Sequence, residues 1–142
     1  MEPRISIITL GVQSLTESYN FYHHGLGFET SGTPKDGILF FKTTGCCLAL
    51  YPYQQLAEDA LLEASTKPSF SGITLAHNTH SEEQVEQILK QAELAGAKII
   101  KPAQTTSWGG YHGYFTDLDG YLWEIAYGAM WQFNPDGSLL IK

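Results

Sequence analysis

Glu124 stands in the run Tyr121-Leu122-Trp123-Glu124-Ile125-Ala126-Tyr127, where every other residue is apolar or aromatic. The run follows Asp117-Leu118-Asp119-Gly120, a turn sequence, and reads as the second strand of a hairpin. Alternation puts Leu122, Glu124 and Ala126 on one face and Trp123, Ile125 and Tyr127 on the other. A carboxylate on so apolar a surface is costly if it is ionised and dry. Three resolutions are open. Glu124 accepts hydrogen bonds from Tyr or Trp donors and is structural, it serves as a general base or acid, or it meets a cationic or hydrogen-bonding ligand.

His112, on the preceding strand, is the nearest candidate partner. Counting back from the turn sets Gly113 or a near neighbour opposite Glu124, which sends His112 to the other face. A bulge at Gly110 or Gly113 would reverse that and create a His112–Glu124 pair able to contribute to a metal site. The other histidines are weaker candidates. His23 and His24 are neighbours in a helix's last turn and do not face each other. His77 and His80 straddle a strand end and a helix entry, as solvated turn residues. Asp117, Asp119 and Gly120 lack the length and closing glutamate of a calcium loop. No G-x-S-x-G, P-loop or G-x-G-x-x-G sequence is present, which argues against covalent catalysis and nucleotide binding.

The chain that must position these groups has 142 residues, enough for one ordinary domain, and 43% of them are hydrophobic. No apolar run is long enough to span a membrane, and Met1 to Leu10 shows no signal-peptide pattern, so a cytoplasmic protein is expected. The net charge of −7 includes no basic patch, which excludes nucleic acid as an expected partner. The two cysteines, Cys46 and Cys47, are adjacent, too strained to bridge, and read as small buried residues in a reducing compartment. The aromatic content, 3 Trp, 8 Tyr and 7 Phe, suits a β-rich core or an aromatic-lined cavity.

Strands are expected at 5–12, 28–31, 38–42, 46–51, 72–76 and 98–101, ahead of the hairpin. Ser14 or Thr16 caps a first helix, with Ser14 and Glu17 at capping-box spacing, and the helix stops at Gly25 and Gly27. A second starts at Ser81 and Gln84 and buries Val85, Ile88, Leu89, Ala92 and Ala95. A short surface helix is expected over 54–64, a loop over 102–110, and a turn at Asn134-Pro135-Asp136-Gly137. Ile8-Thr9-Leu10 recurs as Ile73-Thr74-Leu75, so the chain reads as βαβββ twice. Module one spans about 5–53, a connection 54–70, module two 71–128 and a tail 129–142, in a single domain of α+β class.

A double βαβββ chain with the segments 8–28 (ITLGVQSLTESYNFYHHGLGF), 38–60 (ILFFKTTGCCLALYPYQQLAEDA) and 113–127 (GYFTDLDGYLWEIAY) resembles the vicinal oxygen chelate superfamily, which includes glyoxalase I, extradiol dioxygenases and bleomycin resistance proteins. The resemblance implies two modules whose curved mixed sheets form a cup, with helices on the convex side, and a homodimer. It also implies up to four metal ligands, one on the first and one on the last strand of each module. These positions fall on Ile7, near Ala49, on Gly72 or Ser71, and on Glu124. Of these only Glu124 is of the ligand type, so no metal is expected, unless a divalent ion is held by Glu124 and His112.

Around the cup the expected ligand-binding residues are Thr9, Phe41, Tyr51, Thr74, Trp108, Tyr111 and His112, with Glu124 as polar anchor or catalytic group. The loop Trp108-Gly109-Gly110-Tyr111 is aromatic and glycine-rich, which suits a flexible rim. Two functions are expected of such a chain. One is metal-independent binding of a small organic molecule, like the bleomycin resistance branch. The other is a glyoxalase-like lyase or isomerase acting on a small oxygenated substrate, with Glu124 as base or metal ligand.

Overall fold

A computed structural model of the chain describes residues 6–59, 61, 71 and 73–140. It divides into two compact units, Met1–Pro68 and Ser69–Lys142, each with its own mixed sheet. The fold is α+β, as the sequence leads one to expect.

In the first unit β1 (Ile7–Val12) runs parallel to β3 (Cys47–Pro52), and β2 (Leu39–Phe41) pairs antiparallel with β3 on its other side. The expected strand at 28–31 shrinks to a single bridge between Glu29 and Lys42. Ser14 caps α1 (Leu15–Tyr19) by accepting from the Glu17 amide, and the helix continues as a π-helical turn, Asn20–Gly25. The register places Leu10, Val12, Leu39, Phe41, Leu48 and Leu50 on one buried face, where the Tyr22 and Phe28 rings lie 5.9 and 6.0 Å from Phe41. α2 spans Tyr53–Asp59; the expected continuation at 60 and 62–64, with the connection to residue 70, lies outside the described residues. Cys46 and Cys47 are free and half-buried rather than fully buried.

The second unit holds the full βαβββ order: β4 (Thr74–Thr79), α3 (Glu82–Leu94), β5 (Lys98–Thr105), β6 (Tyr111–Thr116) and β7 (Leu122–Tyr127). The strands lie in the order β4-β7-β6-β5, with β4 parallel to β7 and the rest antiparallel. Ser81 caps α3 by accepting from the Gln84 amide, and the Gln84 side chain accepts in turn from the His80 amide. Val85, Leu89 and Ala92 are buried, and under them lie Phe115, Trp123 and Ile125 on the helix-facing side of the sheet. β5 runs on past Pro102, against the expected loop, because an edge strand tolerates a residue that cannot donate.

The letter repeat is two residues out of step with the structural one. β1 begins at Ile7 and β4 at Thr74, and the two helix caps are Ser14 and Ser81, so Ile7 corresponds to Thr74. The ligand position assigned by resemblance to Gly72 or Ser71 therefore moves to Thr74; Gly72 lies outside the described residues.

Gly113 sits where α3 crosses the sheet. A Cβ there would come within 2.5 Å of Leu89 Cδ1, 2.9 Å of the Lys101 carbonyl oxygen and 3.1 Å of the Ala103 nitrogen. Two of these neighbours are backbone and cannot swing away. Gly113→Ala should cost about 1–3 kcal/mol by overpacking, read as a lower midpoint in urea with an unchanged slope.

Candidate functional site

The site develops from the turn between β6 and β7. The Asp117 amide bonds the Tyr121 carbonyl, and Asp117 Oδ1 accepts from the Asp119 and Tyr121 amides at 3.0 and 2.8 Å. This closes a hairpin turn, as expected, but sets Tyr114, not Gly113, opposite Glu124. The one-residue difference in register reverses the expected placement of His112. Paired with Ala126, it lies on the same face as Glu124 without any bulge in this strand pair.

The bulges lie in β5 instead. Ile99 pairs with Phe115 and Lys101 with Tyr114, so Ile100 is an extra residue. A second extra residue lies between Lys101 and Gln104, which pairs with His112. Without the first bulge Lys101 would sit on the helix side. With it, Lys101 joins Tyr114, His112 and Glu124.

Four side chains then form one chain of hydrogen bonds. Lys101 Nζ is 2.7 Å from His112 Nε2, His112 Nδ1 is 2.7 Å from Glu124 Oε1, and the Tyr114 hydroxyl donates to the same oxygen at 2.8 Å. An ammonium only donates, so Nε2 must accept, and the ring proton sits on Nδ1 and is given to Glu124. His112 is nearly buried, while the Glu124 side chain keeps 24% of its exposure. Lys101 also lies 5.8 Å from the centre of the Tyr114 ring. The Tyr114 phenol is pushed up to about 12, first by its removal from water and then by its bond to Glu124 and that carboxylate's charge.

One indole flanks this chain and a second packs on the first. The Trp108 ring lies 6.2 Å from His112, edge-on, and 5.5 Å from Trp131. Trp108 lies flat over Gly110, where a Cβ would come within 1.8 Å of its ring. The expected flexible rim is a pinned loop: the Thr106 amide bonds the Gly110 carbonyl, the Gly110 amide bonds Thr106 Oγ1, and the Gly109 amide bonds the Thr106 carbonyl.

Other expected site residues fall elsewhere. Tyr111 points to the helix side, where its hydroxyl donates to Glu86 on α3 at 2.7 Å. Phe41 is in the first unit's core, and its neighbour Phe40 takes the face shared by Thr9, Ala49 and Tyr51. Both misplacements are errors of strand face. Thr74 lies on the Glu124 face of the second sheet, in line with Leu122, and Thr9 is exposed on β1. Lys101, Tyr114 and Trp131 were not anticipated. Tyr114 could have been found by shifting the register one residue. Nothing in the letters marks the bulge that turns Lys101 or the tail turn that seats Trp131.

The ligand set of a metal centre does not fit here. Ile7, Ala49 and Thr74 offer no imidazole or carboxylate, and among the described residues no three His, Cys, Asp or Glu side chains gather to hold an ion. Both His112 nitrogens are engaged, and a cation on Nε2 would have to displace the Lys101 ammonium. Like unit charges about 4 Å apart repel by about 4 kcal/mol at an effective dielectric near 20, and a dication doubles that.

Residues 4–125 match the family model described as the Glyoxalase/Bleomycin resistance protein/Dioxygenase superfamily. No curated protein matches the chain. Among solved structures, a glyoxalase-related enzyme from Fulvimarina pelagi is 32% identical, with 98% of each chain covered and a TM-score of 0.88. A glyoxalase/bleomycin resistance protein/dioxygenase from Nocardioides is 24% identical over 94% of this chain and 91% of that one, with a TM-score of 0.74. A lactoylglutathione lyase from Agrobacterium tumefaciens is 19% identical over 94% and 100%, with a TM-score of 0.69. The last two show likeness of fold alone. Among the described residues, no helix is long and apolar enough to cross a membrane.

The removal of the Tyr114 phenol from water, with its bond to Glu124, makes stability depend on pH at high pH. The folded pKa lies above the ordinary 10.0, so the folded chain holds a proton that the unfolded chain has released. The stabilisation is present below about pH 10 and is lost as pH rises toward 12. Denaturation midpoints from pH 9 to 11 should fall more steeply in the wild type than in Tyr114→Phe. Parallel curves would show that the phenol is not shifted in the folded chain. The matched residues, the paired modules and the coverage of related structures place this chain in the Glyoxalase/Bleomycin resistance protein/Dioxygenase superfamily.

Proposed function

We propose that the chain binds a small organic molecule, without a metal, on the face of the second sheet that carries Glu124. The observation behind this reading is the chain Lys101–His112–Glu124–Tyr114 beside Trp108 and Trp131. Two donors fix Glu124 Oε1. Among the described residues Oε2 accepts no hydrogen bond, so it is the oxygen left for a ligand's hydroxyl or amine. The indoles supply flat apolar area, and Trp108 is 43% exposed and so accessible to a ligand. Elemental mass spectrometry on chelator-free protein should find far less than one ion per chain. A metabolite library screened by thermal shift should raise the melting temperature for some members, less so in Glu124→Gln. A stoichiometric metal would sink this reading, as would a library with no hits.

A lyase or isomerase is the second reading, favoured by the 2.7 Å contact between His112 and Glu124 and by the 32% identical glyoxalase-related enzyme. Glu124 Oε2 would take a proton from carbon beside a carbonyl, leaving an enolate, and return it to the neighbouring carbon or the same one. Lys101 would offset the charge on the enolate oxygen. Small hydroxy- and oxo-acids incubated in deuterium oxide should then exchange carbon-bound protons, at a rate at least about a hundredfold lower in Glu124→Gln. Exchange that survives the substitution removes Glu124 as the base.

A further inference from the structure

The ammonium of Lys101 is the unassigned group of this site. Its hydrogen bond to His112 engages one of three N–H groups. Among the described residues no carboxylate reaches ion-pair distance of it, although acids outnumber bases 15 to 8 in the chain. The bulge at Ile100 turns it away from the helix side, where an amphipathic lysine would otherwise lie beside α3. It is half-buried, bonded to His112 Nε2, and the Trp108 indole lies edge-on to the same imidazole at 6.2 Å. The carboxylate of this network, Glu124, is reached only through the imidazole, and two donors already hold its Oε1.

We infer that Lys101 makes this an anion site: the ligand is a small organic carboxylate or comparable oxyanion whose charge meets Lys101 and whose planar part lies on Trp108. The inference rests on the small-molecule reading above and deepens it by naming the ligand's charge. An ammonium in a partly desolvated setting attracts an anion more strongly than in water. A bond to a charged donor is also stronger than one between neutral groups. A carboxylate on a planar body fits an ammonium and an indole that both neighbour one imidazole. A cationic ligand would have to approach an ammonium, and a neutral one would leave it without a counter-charge.

The test uses the intact chain and three probes of one shape: benzoate, benzamide and benzylamine. The readout is the indole N–H signals of the three tryptophans in two-dimensional NMR. Benzoate should move the Trp108 and Trp131 signals, leave that of Trp123 in the helix-side core, and bind about tenfold or more tighter than benzamide. Lys101→Met should abolish that preference with the amide spectrum otherwise retained, and Lys101→Arg should keep part of it. Equal binding of benzoate and benzamide, or a preference that survives in Lys101→Met, would overturn the anion site and leave the small-molecule reading standing. Tighter binding of benzylamine would overturn it in favour of Glu124 as the charge that selects. Failure of all three probes would also count against it, while the library screen decides the broader reading separately.

Discussion

A strand shows alternate residues to opposite sides, so one residue of register decides which side chains can meet. In the second unit that constraint acts twice. The turn closed by Asp117 and Tyr121 sets Tyr114 opposite Glu124, which brings His112 to the same face. The bulge at Ile100 then turns Lys101 to that face as well. Each device moves a side chain from the helix-packed layer to the open one, and neither adds a residue of unusual chemistry. The helix side closes without them, because Gly113 leaves room for Leu89 and the Phe115 and Trp123 rings stack at 6.2 Å.

The resulting arrangement answers a general difficulty of carboxylates in sheets. Glu124, between apolar neighbours, needs donors, and it has two on one oxygen. His112 can donate to it only as the tautomer with Nδ1 protonated, and the Lys101 ammonium at Nε2 selects that tautomer. A truncated Lys101 would leave His112 free to rotate or change tautomer, so the position of Glu124 depends on a residue it does not touch. A dependence of this kind is characteristic of buried polar networks, whose members are strong when satisfied together and costly when one is lost.

The architecture was largely legible in the letters, and the site only in part. Caps at Ser14 and Ser81, glycine stops and burial at Val85, Leu89 and Ala92 are local signals that the fold keeps, while Ile88 and Ala95, expected in the same stripe, are half-buried. Faces are not local. For Phe41 and Tyr111 alternation alone leaves two equivalent faces, and the first fixed point decides between them. The repeat misled in the same way. Ile8-Thr9-Leu10 and Ile73-Thr74-Leu75 look equivalent, yet strand starts and caps pair Ile7 with Thr74, two residues away. A slip of two keeps the face and so leaves the pattern intact, which is why pattern alone could not expose it.

The two units also differ in what they retain. In the first, Ile7, Thr9, Cys47, Ala49 and Tyr51 share one face of the sheet, and none of them is a carboxylate or an imidazole. In the second, a carboxylate remains, and its positive partner is an ammonium reached through an imidazole. The two kinds of positive partner differ in what they offer a ligand. A metal ion presents open coordination positions and polarises what it binds. An ammonium presents a fixed number of N–H donors and a single charge, so a ligand exchanges without a coordination bond to break. One lysine and one bulge therefore decide what stands beside the carboxylate on this face, because without the bulge the ammonium would lie on the helix side.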